Sequence, residues 1–219
     1  MLPPPDHLIG PDTPLGALIW RLPAASAALS SAAVGGGWST PRWIVNLQVP
    51  RDYARTDVGD HVGTVARLAG LDGPGVGLLT AASVERYGAG EERGLRVDAT
   101  AGIADPTWAA APDEPQLSPA RDEPAGPGTV NIVARFPDPL EPAAAVNAIA
   151  TITEAKTQAF FERDIPGTGT PTDAITVVWP THGERPIRFC GPRSPWGAAV
   201  ARATHHAVGA AIDRIGAAA

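Results

Sequence analysis

The sequence predicts an α+β fold: one compact domain in which mixed β-sheets are covered by helices, without a clean βαβ repeat. Three observations carry this. Apolar–polar alternation recurs in short segments scattered along the chain, with stretches of helical spacing between them. The 219 residues, 44% of them hydrophobic, suffice for one core without disulfide or metal staples. The 24 glycines and 24 prolines require ordered loops through much of the fold.

Residues 1–28 are read as an N-terminal extension packed on a domain formed by 29–219. In the segment 43–49, Trp43, Val45, Leu47 and Val49 share one strand face, and Ile44, Asn46 and Gln48 share the other. Helical spacing of Val62, Val65, Ala66 and Ala69 predicts a helix over 60–71. A short apolar strand follows from Val76 to Thr80. In 94–100, Leu95, Val97 and Ala99 alternate with Arg96, Asp98 and Thr100. Residues 105–127 hold too many prolines for a helix or central strand, so a long surface loop or lid is expected there. Alternation returns over 129–136, where Val130, Ile132, Ala134 and Phe136 oppose Thr129, Asn131, Val133 and Arg135. Pro142 opens a helix that runs to about Asp164. The β-branched run from Ala174 to Trp179 reads as a buried strand. Ser194, a cap followed by Pro195, starts a last helix that reaches about Ile215.

Charge and composition exclude several roles. The net charge of -6 shows no basic stripe, so nucleic acid is not an expected partner. No apolar run approaches the roughly 20 residues of a membrane-spanning helix, and no membrane partner is expected. The start MLPPPDH lacks the basic region of a signal peptide. Cys190 is the only cysteine, which leaves no internal disulfide and fits a reducing, cytoplasmic compartment. The five histidines fall in neither H-x-x-x-H nor H-E-x-x-H spacing, so no metal site is expected. A G-x-S-x-G elbow and a phosphate-binding G-x-x-x-x-G-K-[ST] loop are both missing.

The densest chemical signal is GTGTPTDA, residues 167–174, where Thr168, Thr170 and Thr172 stand beside one carboxylate, Asp173. The helix after Pro142 carries TEAKTQAFF. Its Lys156 is the chain's one lysine against 16 arginines, and helical spacing puts it on the apolar side near Ile149, Ile152 and Phe160. A lysine in an apolar arc requires a partner carboxylate, and Asp173 is the candidate. Glu154 lies at the other margin of that helix and is no local partner for Lys156. Asn131 offers an amide able to polarise a carbonyl. Thr80 in LLTAA and Thr100 in DATAG sit at corners of small residues.

Taken in order, LSSAAVGGGW, IVNLQVP, VGLLTAA, DATAG, GTVNIVARF, ITEAKTQAF, GTGTPTDAITVVWP and GPRSPWGAAVARA resemble the adenosylcobinamide amidohydrolase family from about Leu29 onward. The resemblance implies hydrolysis of the amide joining aminopropanol to a corrin side chain, giving adenosylcobyric acid and 1-amino-2-propanol. It implies a corrinoid substrate that brings its own cobalt, and therefore no cofactor. Glu154 or Asp173 is expected to activate water, with Lys156 stabilising the oxyanion or tuning that carboxylate. Thr170 or Thr172 is the alternative nucleophile, with Lys156 as its base. Asn131, Thr80, Thr100, Thr168, Thr170 and Thr172 are expected around the substrate. Pro171 interrupts the family's Gly-Thr loop. A corrinoid-binding protein without cleavage, or cleavage of a different amide, therefore stays open.

Overall fold

The computed structural model describes residues 2–11, 13–112 and 128–216; the expectation of a lid over 113–127 falls outside them. In chain order the elements begin with β1 (Asp6–Gly10), β2 (Thr13–Arg21), β3 (Ser26–Ser30), β4 (Gly37–Ser39) and β5 (Trp43–Gln48). They continue with α1 (Val58–Leu68), β6 (Gly75–Thr80), a single 3-10 turn (Val84–Arg86), β7 (Gly88–Glu92) and β8 (Leu95–Gly102). The chain then forms β9 (Thr129–Arg135), α2 (Pro142–Phe161), β10 (Ala174–Pro180) and α3 (Pro195–Gly216). Helix α1 starts and ends a little earlier than its spacing suggests. It stops where Gly70 takes a positive φ of 65°, which ends the helical path. Ser194 caps α3 as expected, its Oγ accepting the Gly197 N–H at 3.0 Å.

The strands form two mixed sheets, one ordered β1-β2-β5-β6 and the other β4-β3-β10-β9-β8-β7. Two pairs are parallel, β5 with β6 and β9 with β10, and each is joined by a crossover helix, α1 or α2. The result is a four-layer sandwich in one domain: α1, the small sheet, the large sheet, then α2 with α3. Three apolar clusters fill the three gaps. Trp43, Val45 and Leu47 meet Val62 and Val65 of α1; Ile44, Leu78 and Trp20 meet Val133 and Val178 between the sheets; Val97, Ile132 and Val177 meet Phe160 and Ala203 under the outer helices. Residues 1–28 supply β1 and β2 to the small sheet, where Ala17 to Trp20 are buried. No helix among the described residues is long and apolar enough to cross a membrane.

The alternating polar positions of β8 and β9 do not face water. Arg96, Asp98, Thr100, Thr129, Asn131 and Arg135 are all buried, on the side of the large sheet that meets the small one. Buried polar groups are usually partnered, and for Asp98 and Thr100 the facing sheet supplies a donor. Trp20 of β2 donates its indole N–H to Asp98 at 3.0 Å, and Asn46 of β5 donates to Thr100 at 3.0 Å. Asp98 also accepts from Arg96 at 2.9 Å and Arg135 at 3.2 Å. A polar seam therefore runs between the sheets and opens, at the Gly102 and Thr129 end, into a cleft.

Candidate active site

Several elements converge at that end of the sandwich. The carboxyl ends of β5, β6 and β8 meet the starts of β9 and β10, a position where the strand layout leaves a crevice. The turn 167–173 enters β10 and is clamped on both sides. Thr157 of α2 donates its hydroxyl to the Thr168 carbonyl at 3.0 Å. On the other side Thr107 N–H donates to Gly169 O at 2.8 Å, and Thr168 N–H donates to Thr107 O at 2.9 Å. Thr168 Oγ is fixed there too, accepting from Ala109 N–H at 3.0 Å.

Asp173 is the hub of this turn. Its Oδ1 accepts the Val130 N–H at 2.8 Å and the Thr170 hydroxyl; its Oδ2 accepts the Thr170 N–H at 3.1 Å and the Lys156 ammonium. Four donors fill the roughly four lone-pair positions of a carboxylate. The pair is secluded, with the side chains of Lys156 and Asp173 only 7% and 12% exposed. Gly169 lies directly over it, and a Cβ there would collide with both Lys156 Nζ and Asp173 Oδ2. The sequence thus pairs Lys156 and Asp173 correctly, and the reason for the glycine in front of Thr170 becomes visible.

A cleft of about 450 Å³ opens beside this cluster, lined by Thr172 and Asp173 of the turn, Thr129 and Asn131 of β9, Thr80 of β6 and Arg51 just after β5. Thr172 is exposed, in contact with Thr129 Oγ at 2.6 Å, and donates to the Gly128 carbonyl at 3.1 Å. Thr80 is buried and accepts the Ala82 N–H at 3.0 Å. Thr100 is buried in the seam, where it accepts from Asn46, and does not line the cleft. Glu154 is exposed on α2 and joins neither the cluster nor the cleft among the described residues.

Asn131 differs from its expected role as a donor to substrate. The Leu79 carbonyl can only accept, so the Asn131 contact of 2.8 Å there must be Nδ2 donating. The other N–H goes to Asn46 Oδ1 at 2.9 Å. Both donors are spent within the seam, and Asn131 Oδ1 is buried with no hydrogen-bond partner among the described residues. Asn46 had no functional signal in the sequence. Its position on β5 reads as a solvent face until the second sheet is laid over it.

Tyr53, in the lining of the cleft, belongs to a second pair the sequence did not indicate. Tyr53 stacks on His61 of α1, with its hydroxyl 2.8 Å from His61 Nδ1. Burial pushes the Tyr53 phenol up and the His61 imidazole down, and nearby Arg55 depresses His61 further.

The sequence profile of a family described as adenosylcobinamide amidohydrolase matches residues 10–218. The adenosylcobinamide amidohydrolase of Halobacterium salinarum is 32% identical over 200 residues, 84% of this chain and 84% of that protein. Its namesake in Methanosarcina mazei is 29% identical over 164 residues, 75% of this chain and 72% of that protein.

Proposed function

Because the chain belongs to the adenosylcobinamide amidohydrolase family, we propose that its Asp173 cluster is where the reaction of that family is carried out. The protein is an amidohydrolase that cleaves the aminopropanol amide of adenosylcobinamide, releasing adenosylcobyric acid and 1-amino-2-propanol.

In the proposed mechanism Thr170 Oγ is the nucleophile. Its hydroxyl donates to Asp173, so the carboxylate is placed to take the proton as Oγ bonds to the scissile carbonyl carbon. The carbon–nitrogen bond then breaks, and Asp173 returns that proton to the leaving amine. This leaves a corrin side chain held as an ester on Thr170. Water attacks the ester, Asp173 again takes and returns one proton, and the acid leaves with Thr170 restored. Lys156 holds Asp173 in place and supplies positive charge beside the developing oxyanion. No resident metal or cofactor enters these steps, since the cobalt belongs to the substrate.

The observation that supports this reading is the crowding of Asp173. With Lys156, Val130 and both donors of Thr170 on its oxygens, no lone pair remains for a water unless Thr170 turns away. Intact-protein mass spectrometry during turnover of a slow substrate tests it. A corrinoyl adduct that maps to Thr170 is expected, and Thr170→Val should show neither adduct nor product. Full turnover by Thr170→Val would mean that water attacks directly. We also propose the cytoplasm as the compartment, because the lone Cys190 leaves no internal disulfide to form; cell fractionation checks this.

A further inference from the structure

The Asp173 cleft has a neighbour, and Ala81 lines both. This second cleft, of about 390 Å³, also shares Arg51 with the first. Its lining includes small residues from the corners of both sheets: Ala82 follows β6, Ala101 and Gly102 close β8, and Gly128 precedes β9. The glycines are needed for that closeness. A Cβ on Gly128 would meet the Gly102 carbonyl oxygen at 2.5 Å, and one on Gly102 would meet the Ala82 side chain at 3.3 Å. Larger residues would fill the cleft or prise the two sheet corners apart. At the rim stand Arg51 and Arg86, both exposed, and neither side chain has a hydrogen bond or ion pair among the described residues.

We infer that this second cleft is the subsite for the body of the corrinoid, the part remote from the scissile amide, and that Arg51 and Arg86 grip its peripheral carboxamides. The inference rests on the proposed reaction at Asp173. Neither cleft alone suits a macrocycle carrying many amide arms, whereas two adjoining clefts that share Arg51 and Ala81 offer one broader groove. The small residues Ala82, Ala101, Gly102 and Gly128 in its lining leave room for a flat face. Guanidinium groups present planar forks of donors and no acceptor, the complement of carboxamide oxygens. Arg51 lines both halves and so links the held body to the cut arm.

The test measures adenosylcobinamide hydrolysis by Arg51→Ala, Arg86→Ala and a control, Arg185→Ala, which removes an exposed arginine elsewhere. Binding of the product adenosylcobyric acid, which keeps the corrin body, is measured in parallel. Loss of a charged hydrogen bond in each cleft variant should raise KM about tenfold or more and weaken product binding equally. Arg185→Ala should match the unaltered protein. Unchanged KM and product affinity in both cleft variants overturn the subsite, as does an equal loss in the control, which would report only general charge. Failure of the unaltered protein to cleave adenosylcobinamide would instead overturn the proposed reaction.

Discussion

Lys156, the only lysine of the chain, donates to the carboxylate of Asp173 from α2 across to the turn before β10. The pair is almost out of solvent, so its two members depend on each other.

Removing the cation alone leaves a buried carboxylate with its charge uncompensated. Lys156→Met should therefore destabilise the protein by about 3–5 kcal/mol. Lys156→Arg should fail to restore activity, because a planar guanidinium does not fit the space that Gly169 leaves for a compact ammonium. Urea unfolding midpoints and product assays read both. The double variant Lys156→Met with Asp173→Asn should regain much of the stability and none of the activity.

Gly169→Ala separates activity from folding. The added methyl presses on the flexible end of Lys156 and on Asp173, so a modest loss of about 1–3 kcal/mol is expected. The rate should fall on the order of 100-fold, because the cluster is displaced. Normal kcat/KM in the Gly169→Ala variant would show that the tight cover over the pair is unimportant.

Asn46 holds Asn131 in one orientation, with its free oxygen on the cleft-lining side chain. Asn46→Leu should strand the Asn131 donor and cost about 1–3 kcal/mol. Asn46→Asp keeps an acceptor for Asn131 and a partner for the Thr100 hydroxyl, so it should retain more activity than Asn46→Leu. Equal activity of the two variants would count against a positioning role.

Stability should depend on pH through His61. Its pKa is lowered in the fold, so the unfolded chain binds the proton more readily. The contribution is complete above the ordinary value of about 6.5 and is lost as pH falls toward the lower folded value. Unfolding midpoints measured from about pH 7.5 down to about pH 5 should fall less steeply for His61→Gln than for the unaltered protein.

The sequence showed the helices and the inner strands wherever a face was apolar. Trp43, Val45 and Leu47 pack on α1 while Ile44 packs on the other sheet, so the two faces of β5 were separable by alternation. Strand β2 was not legible, since Ala17 to Trp20 are buried on both faces and Pro14 and Gly16 precede them like turn residues. Strand β7 was hidden for another reason. Gly88 and Gly90 are selected by close contact with the α3 backbone at Ala207 and Ala203, not by β-propensity. At the site, an apolar arc around Lys156 demanded a carboxylate, and the only dense loop nearby offered Asp173. Glu154 could be placed on its helix but not against a neighbour. The roles of Asn46 and Arg51 required the second sheet and the clefts, which no local pattern encodes.

The most direct measurement compares adenosylcobinamide turnover by the unaltered protein and by Asp173→Asn, following products by mass spectrometry, with near-ultraviolet circular dichroism to verify folding. Adenosylcobyric acid and 1-amino-2-propanol should accumulate with the unaltered protein, and neither should form with folded Asp173→Asn. A folded Asp173→Asn variant that releases both products at the unaltered rate would contradict the account, because no step would then pass through Asp173.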